Sequence, residues 1–224
     1  ISNLSDTNTG IFFPAADTLA FATNGSEVFR FGTVDVQLEN GIDLITVTAS
    51  GNTNTRIGTN AGDSIVASNA GVNNILIGTD AGTALDSGDS NVAIGYRALK
   101  SEDDHGGNIA IGSEALQTLD VGADGFNIAI GNNAGNDLQT GKRNVIIGTS
   151  AAEEATTIDD CVFIGHNAGG DGIVTGNANV GIGKDAGASL IAGNLNVIIG
   201  VDAGQASTTA TQNTFIGWFP IFFR

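Results

Sequence analysis

From residue 54 to residue 217 the apolar positions come in short bursts, not in the three- and four-residue stripes of amphipathic helices. Each burst is an Asn, three mostly apolar residues ending in Ile, and a Gly. Asn91-Val92-Ala93-Ile94-Gly95 returns as Asn108-Ile109-Ala110-Ile111-Gly112. The Ile-Gly pair occurs with its glycine at 58, 78, 95, 112, 131, 148, 165, 183, 200 and 217. The spacings are 20, 17, 17, 19, 17, 17, 18, 17 and 17 residues, so ten units share a period near seventeen.

Other positions repeat with the glycine. Four residues before it stand Asn54, Asn74, Asn91, Asn108, Asn127, Asn144, Asn179, Asn196 and Asn213, with Cys161 as the one departure. Three residues after it stand Ala61, Ala81, Ala98, Ala115, Ala134, Ala151, Ala168, Ala186 and Ala203, with Pro220 as the departure. A β-branched burst, a glycine and a polar stretch read as a short strand followed by a turn. Seventeen residues are too few for a βαβ crossover, which takes about 30. They suit one coil of an all-β parallel β-roll or β-solenoid, with strands of successive coils about 4.8 Å apart. Ten coils then make a rod of roughly 45–50 Å. The Asn column is expected to form a ladder of amide hydrogen bonds from coil to coil.

Side chains alternate along a strand, so the Val or Ile and the final Ile of each phrase share one face. Assigning that pair to the interior sends the residue between them outward. The outward set is then Leu76, Ala93, Ala110, Ala129, Ile146, Phe163, Gly181, Ile198 and Phe215, with Arg56 the only polar member. A strand apolar on both faces is covered on both. The second cover is expected to come from further copies of the chain, as a homotrimer around the rod axis.

Residues 1–50 lack the repeat. Leu19–Thr23, Asn24-Gly25 and Val28–Phe31 read as a hairpin with a type I′ turn, within a small β cap or connector domain. Residues 51–217 form the roll. Residues 218–224 form an aromatic tail, where Trp218, Phe219, Phe222 and Phe223 would either plug the last coil or meet Phe12 and Phe13 of the next molecule. The second arrangement gives the alternative to a plain fibre segment: an extracellular filament joined head to tail.

Composition narrows the functions. The chain has 224 residues, 41% of them apolar, which is enough for a core. It has 24 acidic and 8 basic residues, a net charge of −16, which opposes nucleic acid and anionic membranes as partners. No apolar run reaches the ~18 residues of a membrane helix. Cys161 is the only cysteine, so neither an intrachain disulfide nor a cysteine metal cluster is available. The chain starts at Ile1 and has no Met, as expected of a processed or partial chain.

Catalytic patterns are lacking. His105 and His166 lie several coils apart, and no serine triad, zinc-protease or phosphate-loop motif occurs. The glycine-rich run from Gly181 to Gly187 is explained by the repeat. One Trp and one Tyr give little for a carbohydrate-cleaving groove. The protein is expected not to be an enzyme and to need no cofactor. Acidic turns, above all Glu102-Asp103-Asp104, are the only metal candidates, and Ca²⁺ is the ion they would suit.

The stretches "NVAIGYRALK", "NIAIGSEALQ" and "NVIIGTSAAE" resemble the head repeats of trimeric autotransporter adhesins. With their seventeen-residue period, "NTFIG" and "NVIIGVDAGQ" resemble the repeats of phage tail fibres still more. The opening "NTGIFFPAADTLAFATNGSEVFRF" resembles the segment preceding such repeats in phage fibre proteins. The resemblance implies a left-handed parallel β-roll, three chains side by side, and a place outside the cell or on a virion. It also implies contact with a host-surface glycan or protein.

Overall fold

The computed structural model describes residues 53–65, 71–170, 172, 174–204, 208–209 and 211–218, with strand backbones alone between 10 and 46. In that N-terminal stretch β1 (Gly10–Phe12), β2 (Leu19–Thr23), β3 (Ser26–Phe31), β4 (Asp35–Leu38) and β5 (Ile42–Thr46) pair antiparallel in chain order. The expected hairpin is β2–β3, closing with Thr23 opposite Ser26. The type of its Asn24-Gly25 turn lies outside the described residues.

The repeat builds one parallel sheet of ten strands: β6 (Thr55–Ile57), β7 (Ile75–Ile77), β8 (Val92–Ile94), β9 (Ile109–Ile111), β10 (Ile128–Ile130), β11 (Val145–Ile147), β12 (Val162–Ile164), β13 (Val180–Ile182), β14 (Val197–Ile199) and β15 (Thr214–Ile216). Spatial order follows chain order. Repeat positions pair with themselves, as in Val92↔Ile109, Ala93↔Ala110 and Ile94↔Ile111. Each strand is joined to the next by a full coil, so the chain is a parallel β-solenoid, and no helix occurs among the described residues. Sequence period and observed coil agree.

The glycine explains why each strand stops after three residues. Gly95 has φ 136°, a region that side chains rarely enter. Its column is also stacked backbone on backbone. A Cβ on Gly58 would stand 2.7 Å from the carbonyl carbon of Gly78. Two residues further on, Asp80, Arg97, Glu114 and Ser150 are left-handed, with φ between 54° and 59°. Such a conformer costs a non-glycine residue about 1–2 kcal/mol. The stack offsets that cost, because the same N–H groups donate one coil back: Asp80 to Thr59 O, Arg97 to Thr79 O and Glu114 to Tyr96 O, at 2.8–2.9 Å.

The interior corrects the orientation expected from the sequence. The central strand residues Leu76, Ala93, Ala110, Ala129, Ile146, Phe163 and Ile198 are fully buried inside the coil, and Phe215 is nearly so. They are core, not an outer interface. The flanking Val and Ile face out and are half-buried or exposed. The Asn column explains the reversal. Asn91 and Ala93 are two residues apart, so a strand that turns the amide inward turns Ala93 inward with it. Arg56 also sits at the central position, in the first coil, where its guanidinium donates to Gly62 O at 2.8 Å.

Candidate functional site

The outward face of the ten-stranded sheet is a chemically uniform surface. Its first column runs Thr55, Ile75, Val92, Ile109, Ile128, Val145, Val162, Val180, Val197 and Thr214. Its second column is Ile in all ten strands, from Ile57 to Ile216. Eight and ten aliphatic residues make eighteen Val or Ile among twenty outward positions. No charge interrupts them. Ile75 is 40% exposed, Ile130 37% and Ile216 75%, while most others are half-buried by their neighbours. With strands about 4.8 Å apart, the strip is roughly 43 Å long.

Such a strip is unusual for a surface. A half-buried antiparallel sheet alternates apolar and polar residues, whereas this parallel one is apolar on both faces. The inner face varies from Ala to Phe while the outer one stays Val and Ile. Uniform β-branched columns make a stiff surface, suited to packing against another surface of the same kind.

Beside the strip runs the Asn column. Each amide oxygen accepts the main-chain N–H of the next member: Asn91 N–H to Asn74 at 2.8 Å, Asn108 to Asn91 at 3.0 Å, Asn144 to Asn127 at 3.1 Å and Asn213 to Asn196 at 3.0 Å. The same bond joins Asn74 to Asn54, Asn127 to Asn108 and Asn196 to Asn179. Cys161 continues the column with sulfur, accepting from Asn179 N–H at 3.4 Å. Burial pushes the Cys161 thiol up to about 11, so it stays protonated and unreactive near neutral pH.

A second ladder escaped the reading of the sequence. Two residues before the Asn column, Lys142 N–H donates to Asp159, Asp159 N–H to Asn177 and Asn177 N–H to Asn194. Recurrence of Asp or Asn two places before the Asn was the available signal. Asp159 serves this ladder, and the adjacent Asp160 holds Arg143 through two bonds of 2.6 and 2.9 Å.

The acidic turn after β8 divides three ways. Asp104 is exposed and accepts from the Ser87 hydroxyl of the preceding coil at 3.0 Å. Asp103 is half-buried. Glu102 is fully buried. Its Oε1 accepts the His105 N–H at 3.2 Å and lies 3.3 Å from His105 Nδ1. The structure therefore groups Glu102 and Asp103 with His105 and turns Asp104 away from them. Of the end-contact residues, Trp218 is 69% exposed. Phe13, Phe219, Phe222, Phe223 and the side chain of Phe12 lie outside the described residues.

No protein-family model, curated protein or solved structure matches this chain.

Proposed function

We propose that the chain is a non-enzymatic structural segment of an extracellular or virion-surface fibre. It acts as a homotrimer whose chains pack their Val/Ile strips against one another around the rod axis. The observation that carries this reading is the uncovered aliphatic face of the parallel sheet. Three strips about 43 Å long and about 10 Å wide bring together on the order of 1,300 Å² of apolar surface, the scale of a stable interface. Parallel chains in register would face Ile with Ile and Val with Val along the whole rod. The variable turns, such as Tyr96 and Arg97, then point away from the axis, where contact with a host glycan or protein is made. Arg97 stacks 4.7 Å over the Tyr96 ring, which gives the pair a fixed shape.

Sedimentation equilibrium of the purified chain, beside Ile111→Glu/Ile147→Glu, tests the reading. The parent is expected to sediment as three chains and the double variant as one. A folded parent that stays monomeric at micromolar concentration overturns it.

A second reading, a filament joined end to end, draws on the position of β15 as the last strand of the sheet and on the exposed Ile216 and Trp218 there. Electron micrographs would then show long threads that disappear when residues 218–224 are deleted.

A further inference from the structure

We propose that Glu102, Asp103 and His105 form a binding site for a divalent transition-metal cation of the zinc class. The repeat itself makes Glu102 conspicuous. It stands seven residues after its glycine, and the same place in other coils is Ile65, Leu85, Leu119, Leu138 and Leu190, all buried. The coil accepts Leu immediately before and immediately after, so its packing does not need a carboxylate there. Burying a carboxylate is unfavourable unless charge or hydrogen bonds compensate it.

That compensation is incomplete. The His105 N–H donates to Oε1, and the Val121 N–H lies close enough to favour the charged form. No donor is aligned on Oε2. His105 Nδ1 is also buried without a hydrogen-bond partner, although it lies only 3.3 Å from Oε1. Two orphaned atoms, one on a fully buried acid, thus meet in one cluster. Donor atoms of Glu102, Asp103 and His105 all lie within 4.8 Å of one another. Asp103 holds the Asp104 N–H on one carboxylate oxygen at 2.7 Å and keeps the other.

The 3.3 Å separation is poor as a hydrogen bond here but suits two ligands of one ion. Zinc bonds of about 2.0–2.1 Å at tetrahedral angles place neighbouring donors about 3.3–3.4 Å apart. An imidazole nitrogen with two carboxylates favours zinc, cobalt or nickel. Calcium prefers six to eight oxygens and no nitrogen. Asp120 adds a nearby negative charge. His105 and Asp103 are half-buried, so an ion can enter from solvent and water can complete its shell.

The test is calorimetric titration of the chelator-treated full chain with ZnCl₂, together with the visible spectrum on adding CoCl₂. The parent is expected to bind one ion saturably and to give the cobalt bands of nitrogen and oxygen ligation. Glu102→Gln and His105→Ala are expected to weaken binding by about tenfold or more, and Asp104→Asn to leave it unchanged. Glu102→Leu, which matches the neighbouring coils, guards against loss of fold. Absence of saturable binding, or a folded Glu102→Leu or His105→Ala variant that binds like the parent, overturns the proposal.

Discussion

Phe163 and Gly169 are fitted to one another across the interior of a single coil: a Cβ on Gly169 would stand 2.7 Å from Phe163 Cδ1. Gly181, central in the next strand, also leaves space for the ring: a Cβ there would come within 2.8 Å of Phe163 Cδ1. The same complementarity runs along the roll. Large Leu76 meets Gly82 and Ile198 meets Gly204, each four residues after the glycine that ends its own strand. Where the centre is Ala93 or Ala110, that place is filled by Leu99 or Leu116, despite φ of 51° and 49°. These coils exchange bulk between the two positions; where both are small, as at Ala129 and Gly135, Leu116 and Ile146 of the neighbouring coils reach into the place.

The exchange predicts a non-additive pair. Gly169→Ala joins a left-handed penalty to overpacking and should cost about 2–4 kcal/mol. Phe163→Ala should cost about 3–5 kcal/mol through the cavity it leaves. Combining Phe163→Ala with Gly169→Leu recreates the Ala93/Leu99 arrangement and should recover much of the loss. Urea denaturation of Phe163→Ala, Gly169→Leu and their combination decides the matter, and additive losses would dismiss the pairing.

The fold was legible in the sequence because the coil is short and rigidly periodic, so each structural demand reappears every seventeen residues or so. The Ile-Gly column announced where strands end, and the Asn column announced the ladder. Orientation was misread because Val92 and Ile94 look like core by composition, while Ala93 does not. Parity with the buried Asn91 settles the facing, and the sequence already contained that information. The burial of Glu102 was not foreseen, because it stands in an acidic run, and only alignment of its place with Leu85 and Leu119 shows it to be an interior position. The left-handed residues were not legible, since Arg97, Glu114 and Leu116 have no local preference for that conformation and hold it through the coil above or below.

The ladder has one weak rung, and it can be strengthened or broken. Asn144→Ala removes the acceptor of Cys161 N–H at 2.9 Å and the donor to Ile158 O at 2.7 Å. Leaving those buried groups unpaired should cost about 1–3 kcal/mol. Cys161→Asn replaces a sulfur acceptor by an amide oxygen and offers its NH₂ to Gly176 O, which the thiol now meets at 3.4 Å. It should stabilise the chain by about 0.5–1.5 kcal/mol. Thermal unfolding of both variants provides the check, and a destabilised Cys161→Asn would show that the column requires sulfur at this coil.

The same thiol predicts a loss of stability at high pH. Its folded pKa of about 11 lies above the ordinary 9.0, because burial disfavours the thiolate. A raised value means that the folded state holds the proton more tightly. The contribution is therefore complete below pH 9 and is lost as pH rises toward 11. Cys161→Ala removes this component. The stability difference between parent and variant, measured by urea denaturation from pH 8 to 11, should shift in favour of Cys161→Ala by about 1–3 kcal/mol. A difference that stays flat across that range would mean that the thiolate is solvated.

Glu102 offers the sharpest contrast between stability and site. Burial pushes its carboxyl above the usual carboxylate range, outweighing the two backbone N–H groups that favour its charge. The folded state then prefers the protonated acid, so its contribution is complete below the ordinary carboxylate pKa and is lost as pH rises through the folded value. Glu102→Leu puts into this coil the side chain that Leu85 and Leu119 place in the coils on either side. With chelator present at pH 7, the variant should be more stable than the parent by about 1–3 kcal/mol, because an unsatisfied buried oxygen is replaced by matching apolar volume. At pH 4 the advantage should shrink, since the parent then carries a neutral acid. Equal stability at both pH values, or a less stable variant, would show that the hydrogen bond from His105 fully compensates the carboxylate and that Glu102 is held for structure alone.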